Sequence, residues 1–421
     1  MNAELLTIGN EILIGQITNT NAVWMAQELN KIGVSVVHMS SVADEKHAIL
    51  KAFSDASERA DIVLITGGLG PTKDDITKLT FCEYFETELV TDENVLKDVT
   101  GFFSKRNREL TELNRKQAEV PKGCKVIRNK NGTAPGMWME KNNTIYVSMP
   151  GVPFEMMGMM IDNVIPELKE RFKLPFIFHK TILTQGLGES FLAELISEWE
   201  DGLANKEIGL AYLPSPGMVR LRLSGKGFDE YELKSRIELE VEKVKPLIDK
   251  YIYGYEEYGE EQPRLEEILG QLLLEKGLKL GLAESCTGGY ISHLITSVPG
   301  SSNYYNGCIV PYHNEFKNNL LKVDNVIFEK HGAVSKECVM AMANETLQVF
   351  NADVAIAVSG IAGPGGGTPE KPVGTTWIAV AHKDRIIPKH FIFGDNRQRN
   401  IHMTANAAMN MLRKLILKIE D

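Results

Sequence analysis

The chain has 421 residues, more than one hydrophobic core usually supports, so two or three domains are expected. Hydrophobic residues make up 43% and charged residues 24%, an ordinary globular composition, and no apolar run is long enough to span a bilayer. A net charge of -10 argues against domain-wide attraction to nucleic acid, and five scattered cysteines without a CxxC pair argue for a reducing compartment and against a structural zinc site.

Residues 1–4 (MNAE) lack a basic stretch leading into an apolar one, so no signal peptide is expected and the location read from the sequence is cytoplasmic. Residues 3–8 read as a strand, followed by a turn at Gly9, Asn10 and Glu11. Asn19, Thr20 and Asn21 open a helix whose apolar face is Ala22, Met25, Ala26, Leu29 and Ile32, with Gly33 stopping it. Residues 34–39 form a second strand and residues 62–65 a third, the latter buried by its uninterrupted apolar character. Strands alternating with helices predict a parallel sheet covered on both faces, with ligands at the carboxyl ends of its strands.

The third strand runs into TGGLGPTKDDIT, residues 66–77. Gly67, Gly68 and Gly70 let backbone N–H groups approach a phosphate, and Thr72 can donate to a phosphate oxygen. Asp74 and Asp75 present paired carboxylates, which suit a phosphate neighbour only with a divalent cation between the negative groups. Read alone, the same residues are a glycine turn with an acidic helix start. Three more segments are expected to reach the same ligand. They are residues 114–117 (NRKQ) with Asn114 and Lys116, residues 129–136 (NKNGTAPG) with Gly132 and Thr133, and residues 149–155 (MPGVPFE) with Pro150 and Gly151. Met156, Met157, Met159 and Met160 read as packing, not as a metal site.

Residues 173–255 are expected to form a small α+β domain. Its elements are a strand at 181–184, a helix at 189–199, a half-exposed strand at 218–223 (MVRLRL) and a charged helix at 230–249. It lacks the GxxG loop with which KH modules clamp a nucleic-acid backbone, and reads as a spacer or oligomerisation module. Residues 251–263 (YIYGYEEYGEEQP), acidic and aperiodic, are the linker candidate, with the linker proper at 256–263. Residues 264–421 return to α/β, with strands at 279–283, 306–310, 353–358, 375–380 and 387–393 and a last helix at 398–419.

In LGLAESCTGGYISHLI, residues 280–295, a strand hands over to a helix at Ser285. A hydroxyl there faces the free N–H groups and positive end of the helix, which suits a nucleophile or a phosphate anchor. Taken alone, a helix cap is the simpler reading. Its company changes the weighting. Tyr312 and Lys317 lie five apart in YNGCIVPYHNEFK, residues 305–317. The glycine-rich loop at 360–374, with Gly360, Gly363 and Gly365, reads most simply as an anion-binding nest. Arg397 and Arg399 supply cations at the start of the last helix. The combination fits amide hydrolysis without a metal: Ser285 attacks a carbonyl, Lys317 with a lowered pKa takes its proton, and Tyr312 relays or orients that proton. N–H groups after Ser285, with Thr287, Gly288 and Gly289, hold the oxyanion. Cys286 reads as a small buried neighbour.

GNEILIGQITNTNA, ITGGLGPTKDDIT, NRKQA, NGTAPG and MPGVPFEM together resemble the amino-terminal half of the CinA family, a domain related to the molybdopterin-binding domain of molybdenum-cofactor biosynthesis proteins. This resemblance, over residues 1–172, implies a metal-dependent ADP-ribose pyrophosphatase releasing AMP and ribose 5-phosphate. It puts Asp75 on the family's motif aspartate and Asp44 on an earlier acidic turn, so that Asp44, Asp74 and Asp75 are the expected metal ligands. Lys73 stands where family members often carry His. AESCTGG, the segment around Tyr312 and Lys317, HGAVS at 331–335 and GIAGPGGG with EKPVGT resemble the nicotinamide-nucleotide amidase family, the carboxyl-terminal CinA module. That resemblance implies deamidation of nicotinamide mononucleotide to nicotinic acid mononucleotide and ammonia without a cofactor, with residues 360–366 and Arg397 holding the ribose phosphate. Pro311 and His313 flank Tyr312 where the family has small hydroxyl residues.

The expectation is thus a bifunctional pyridine-nucleotide recycling hydrolase: two three-layer α/β/α domains, at 1–172 and 264–421, joined by a small α+β, KH-like domain. Its partners would be small nucleotides and a second copy of the chain, without nucleic acid or membrane. A non-catalytic nucleotide scaffold and a molybdopterin-handling enzyme are the alternatives.

Overall fold

The computed structural model describes residues 1–421 except Lys73, Asp74, Tyr258, Glu260, Glu261, Asp384 and Asp421. The chain divides into two units, Met1–Ile177 with Lys226–Leu233, and Phe178–Gly225 with Lys234–Asp421.

In the first unit a six-stranded sheet runs edge to edge as Ser35–Val42, Asn2–Ile8, Ile62–Thr66, Thr144–Met149, Gly136–Lys141 and Lys125–Ile127. Side chains alternate between its two faces with the strand period of two. Leu5, Leu64 and Val147 meet one core with Met25 and Leu29; Leu6, Val63 and Tyr146 meet the other with Phe53 and Phe81. Both faces are covered, which explains the uninterrupted apolar run of Ile62–Thr66. Met156, Met159 and Met160 pack in the first of these cores, as the sequence predicts.

The helix Thr20–Lys31 begins where Asn19 Oδ1 accepts from Ala22 N at 3.1 Å, and buries Ala22, Met25 and Leu29. The turn predicted at Gly9–Glu11 is instead a short helix, Asn10–Leu13. The sheet is also mixed where the sequence predicts a parallel one. Its first four strands are parallel, and Gly136–Lys141 runs antiparallel to both its neighbours, Thr144–Met149 and Lys125–Ile127. The cause is connection length. Only Asn142 and Asn143, both left-handed (φ 52 and 64), join Lys141 to Thr144. So tight a turn returns the chain antiparallel.

In the second unit a four-stranded sheet runs Ile208–Ser215, Met218–Gly227, Phe176–Gln185 and Ile252–Glu257. The alternation in MVRLRL is real: Val219, Leu221 and Leu223 are buried, while Arg220 and Arg222 are partly exposed. The linker candidate needs correction. Residues 252–257 form a strand paired antiparallel with Lys180–Thr184. Tyr253 and Leu183 pack there against Leu265 and Leu269, and Glu257 pairs with Lys180.

The third sheet runs Tyr305–Ile309, Leu280–Glu284, Val354–Gly360, Thr375–His382 and Arg385–Ile392, three parallel strands followed by an antiparallel hairpin. One face carries Leu280, Leu282, Ile356 and Ile378. The other is built of alanine (Ala283, Ala355, Ala357, Ala379, Ala381), so the helix Lys336–Val349 packs close against it. A Cβ at Gly281 would already meet Thr346 and Phe350 at 3.0 Å. Larger residues on this face would overpack it. Among the described residues no helix is long and apolar enough to cross a membrane.

Candidate functional site

Parallel strands end on the same side of a sheet, so the loops after them converge. In the first unit the loops after Asn2–Ile8, Ile62–Thr66 and Thr144–Met149 enclose a cavity of about 500 Å³. Gly67, Gly68, Gly70, Asp75, Asp44, Thr133, Pro150 and Gly151 all line it. Residues predicted from separate segments are therefore brought together. Short polar contacts lace the strand ends. Gly67 N donates to Met149 O at 3.1 Å, and Thr66 Oγ1 donates to Pro150 O at 3.0 Å. Asn21 Nδ2 donates to Thr66 Oγ1 (3.1 Å) and to Gly151 O (2.7 Å). Gly67 has φ 112, and a Cβ there would lie 2.0 Å from Ile8 O, so only glycine fits.

Asp75 turns back on its own loop. It accepts from Gly70 N at 2.8 Å, from Thr72 N at 2.9 Å and from the Thr72 hydroxyl. Thr72 thus braces Asp75 and is absent from the cavity lining. Asp44 accepts from Asn10 N at 2.9 Å. Asp74 and Lys73 lie outside the described residues. Among the described residues no three His, Cys, Asp or Glu side chains converge on one point. The donor set fits a hard divalent cation held by one or two carboxylates, Asp44 and Asp75, and completed by substrate phosphates and water.

Asn114 and Lys116 do not line the cavity; of that segment Gln117 does. Gly132 sits against Glu155 and lines a neighbouring cavity instead. Sequence reasoning missed Asn21 as a lining residue, and it assigned the segments of Gln117 and Glu155 to the ligand without singling out those two side chains. Asn21 Oδ1 and Gln117 Oε1 are buried without a hydrogen-bond partner, so the cavity offers two acceptors to a ligand's O–H or N–H.

Behind the cavity Lys78 is buried and donates to Gln117 O at 3.2 Å. Burial pulls its ammonium down from 10.5 to about 8. Below about 8 both states are protonated and the folded state bears the desolvation cost. Between about 8 and 10.5 the unfolded chain binds the extra proton, so stability rises with pH across that window. The gain is roughly 3 kcal/mol at about 1.4 kcal/mol per pKa unit. Urea midpoints at about pH 7 and about pH 10 should diverge in the wild type and converge in Lys78→Met. An equal rise in both would refute the assignment.

In the second unit the loops after Tyr305–Ile309, Leu280–Glu284 and Val354–Gly360 gather the other predicted residues. Ser285 N extends the strand pairing, donating to Val358 O at 3.1 Å. The helix N–H groups that the sequence predicts to be free are not. Glu284, fully buried, accepts from Gly289 N (3.1 Å), Ile291 N (3.0 Å) and Ser292 N (2.7 Å). Glu284 therefore caps the seven-residue helix Tyr290–Thr296 in place of Ser285. Gly288 N is spent on Ser285 O at 3.2 Å. Among the described residues the N–H groups of Cys286 and Thr287 bond no other residue, and the buried Thr287 Oγ1 has no partner. These, not Gly288 and Gly289, are the donors available to an oxyanion.

Lys317 lies in the helix Asn314–Leu321, is 2% exposed, and donates from Nζ to Pro311 O at 2.8 Å. Burial pushes its pKa below the usual lysine value, and its electrostatic neighbours are the thiols of Cys338 and Cys286. Its ammonium is thus near the residue that follows Ser285. Burial raises the Cys286 thiol to about 12. It carries almost no thiolate at neutral pH, which leaves Ser285 as the nucleophile candidate.

Tyr312 is exposed, and its hydroxyl accepts from Arg397 Nη2 at 3.0 Å. Arg397 Nη1 donates to Gly363 O at 2.7 Å. Arg397 therefore clips Tyr312 to the glycine loop, and these contacts support a positioning role for Tyr312 in place of the proton relay. Lys371 Nζ anchors the same loop to His331 O and Val334 O, both at 2.8 Å. Gly360 fits tightly; a Cβ would lie 3.1 Å from Cys286 Sγ. Gly365 faces open space. Arg399 is a correction. Two residues past Arg397 is about 200° round a helix, and Arg399 lines a different cavity with Gly186, Ser215 and Phe391.

Three family models match successive parts of the chain. The model of the CinA C-terminal domain matches residues 262–416, that of the probable molybdopterin binding domain residues 4–170, and that of the damage-inducible protein CinA KH domain residues 179–254. A CinA-like protein of Cytophaga hutchinsonii is 47% identical over 418 residues, 99% of each chain. One from Flavobacterium psychrophilum is 48% identical over 419 residues, again 99% of each. The crystal structure of competence/damage inducible protein CihA from Agrobacterium tumefaciens is 34% identical, covering 37% of this chain and 98% of that one, with a TM-score of 0.35.

Proposed function

The chain belongs to the CinA family, and we propose that it is a bifunctional hydrolase of pyridine-nucleotide breakdown products. The observation that carries this reading is Lys317, a buried lysine held below its usual pKa whose electrostatic neighbours include Cys286, the residue that follows Ser285. Among the described residues no carboxylate pairs with it. A lysine so placed is a competent base.

The carboxyl-terminal module then acts on nicotinamide mononucleotide. Ser285 Oγ bonds to the amide carbon while its proton passes to Lys317 Nζ. The carbonyl oxygen takes negative charge against the N–H groups of Cys286 and Thr287. The C–N bond breaks, the proton on Lys317 moves to the leaving nitrogen, and ammonia departs. Water repeats the sequence on the acyl-serine, giving nicotinic acid mononucleotide and free Ser285. The pyridinium ring withdraws electrons from the amide, which helps a modest nucleophile. Arg397 and residues 360–366 take the phosphate, with Tyr312 orienting the guanidinium.

The amino-terminal module hydrolyses the diphosphate of ADP-ribose to AMP and ribose 5-phosphate. Asp44, Asp74 and Asp75 would hold a divalent cation, which when bound neutralises diphosphate charge. Of the three glycine N–H groups only that of Gly68 is left, among the described residues, for a phosphate oxygen, because Gly67 N bonds Met149 O and Gly70 N bonds Asp75. Asn21 Oδ1 and Gln117 Oε1 accept from ribose hydroxyls. A cytoplasmic homodimer belongs to this reading; five free thiols support a reducing compartment.

Purified chain should release ammonia from nicotinamide mononucleotide, and AMP from ADP-ribose plus magnesium. Asp75→Asn should cut AMP formation about 10–100-fold with ammonia release retained. AMP formation indifferent to a chelator would remove the metal from the reading. Binding of both ligands without product would favour a non-catalytic scaffold.

A further inference from the structure

A second cavity, of about 780 Å³, adjoins the glycine-lined one in the first unit. Lys97, Lys105, Arg106, Arg128 and Lys130 line it against a single lining carboxylate, Asp98. Arg128 Nε donates to Asp98 at 2.6 Å, and Lys130 is paired with Asp162 at 2.7 Å. Among the described residues no carboxylate pairs with Lys97, Lys105 or Arg106. A chain of net charge -10 thus gathers three unpaired cations at one cavity. Cations that line one cavity without carboxylate partners raise the local concentration of anions there, which favours a polyanionic occupant.

Aromatic surface lies alongside. The Arg106 guanidinium covers the Phe102 ring at 3.6 Å from its centroid, and Phe154 is 68% exposed at the cavity wall. The volume suits a small molecule. We infer that this cavity binds a nucleoside polyphosphate, its phosphates among Lys97, Lys105 and Arg106 and its base against Phe154. The site is distinct from the glycine-lined cavity and does not rest on the hydrolase reading.

The two cavities share one loop. Asn129 and Gly132 line the basic cavity, while Thr133 and Ala134 line the other. Asn129 Oδ1 accepts from Gly132 N at 2.9 Å, and Asn129 Nδ2 donates to Glu155 at 2.6 Å. Glu155 itself lines the glycine cavity. A nucleotide in the basic cavity therefore bears on a loop that shapes the first site.

The test is calorimetric titration of the full chain with ADP in EDTA buffer. The glycine cavity carries Glu11, Asp44, Asp75 and Glu155, so without a cation it repels phosphate. The basic cavity needs no cation. One ADP per chain should bind, more weakly as salt rises. Lys97→Glu combined with Lys105→Glu should weaken binding about tenfold or more, and Lys105→Gln alone severalfold, with the melting temperature reporting that each stays folded. No binding by wild type overturns the site. So does unchanged affinity in folded Lys105→Gln, or loss of affinity in Asp75→Asn instead of in the lysine variants.

Discussion

Ser285→Ala is expected to bring ammonia release from nicotinamide mononucleotide down by about 10³-fold or more. The loss should appear in kcat, because the hydroxyl forms a bond only on the way to the transition state. Substrate affinity should change little, since Arg397 and the loop that holds it are untouched. Cys286→Ala is the informative partner. The Cys286 thiol is raised to about 12 by burial and cannot supply a useful thiolate near neutrality. Its replacement should leave ammonia release within severalfold of wild type. If Ser285→Ala keeps its rate and Cys286→Ala loses it, the nucleophile is the thiol and the assignment of Ser285 is wrong. Ammonia is read directly, so AMP formation by the other module does not confuse the result.

The parts of both sites that are legible in the sequence are those whose requirement is local. Gly67 needs a left-handed backbone beside Ile8 O, and the sequence marks it with a glycine at a strand end. The alternation of MVRLRL and the unbroken apolar run of Ile62–Thr66 likewise state their burial in place. What is not legible depends on distant partners. Glu284 ends a buried strand and caps a helix that starts six residues later, outside the Ser, Thr, Asp and Asn pattern that marks an N-cap. Residues 252–257 look like an acidic linker because the partner of Glu257, Lys180, is 77 residues away. Asn21 reads as a helix opener, and nothing near it shows that its amide reaches Thr66 and Gly151. Arg399 is a different failure. Helical periodicity alone sets it across the helix from Arg397, and the sequence reading groups them by charge.

Lys317→Met should abolish ammonia release while the chain stays folded. Methionine keeps most of the buried volume and removes a charge that the site desolvates. The cost is one donor to Pro311 O. The pH dependence carries the sharper argument. Burial lowers the Lys317 pKa from its usual value of 10.5, so the neutral amine becomes available earlier as pH rises. Wild-type kcat should therefore climb with pH through the lowered transition and then level off. Stability follows the same sign. The unfolded lysine holds its proton to higher pH than the folded one, so the folded state gains as pH rises across the gap. Lys317→Met should flatten that stability rise even though it has no activity to profile. A structural lysine would give the stability effect without the kinetic one. His313, exposed at the start of the same helix, is the competing base. If activity survives Lys317→Met and falls in His313→Gln, the proton goes to the imidazole and the buried lysine only shapes the turn at Pro311.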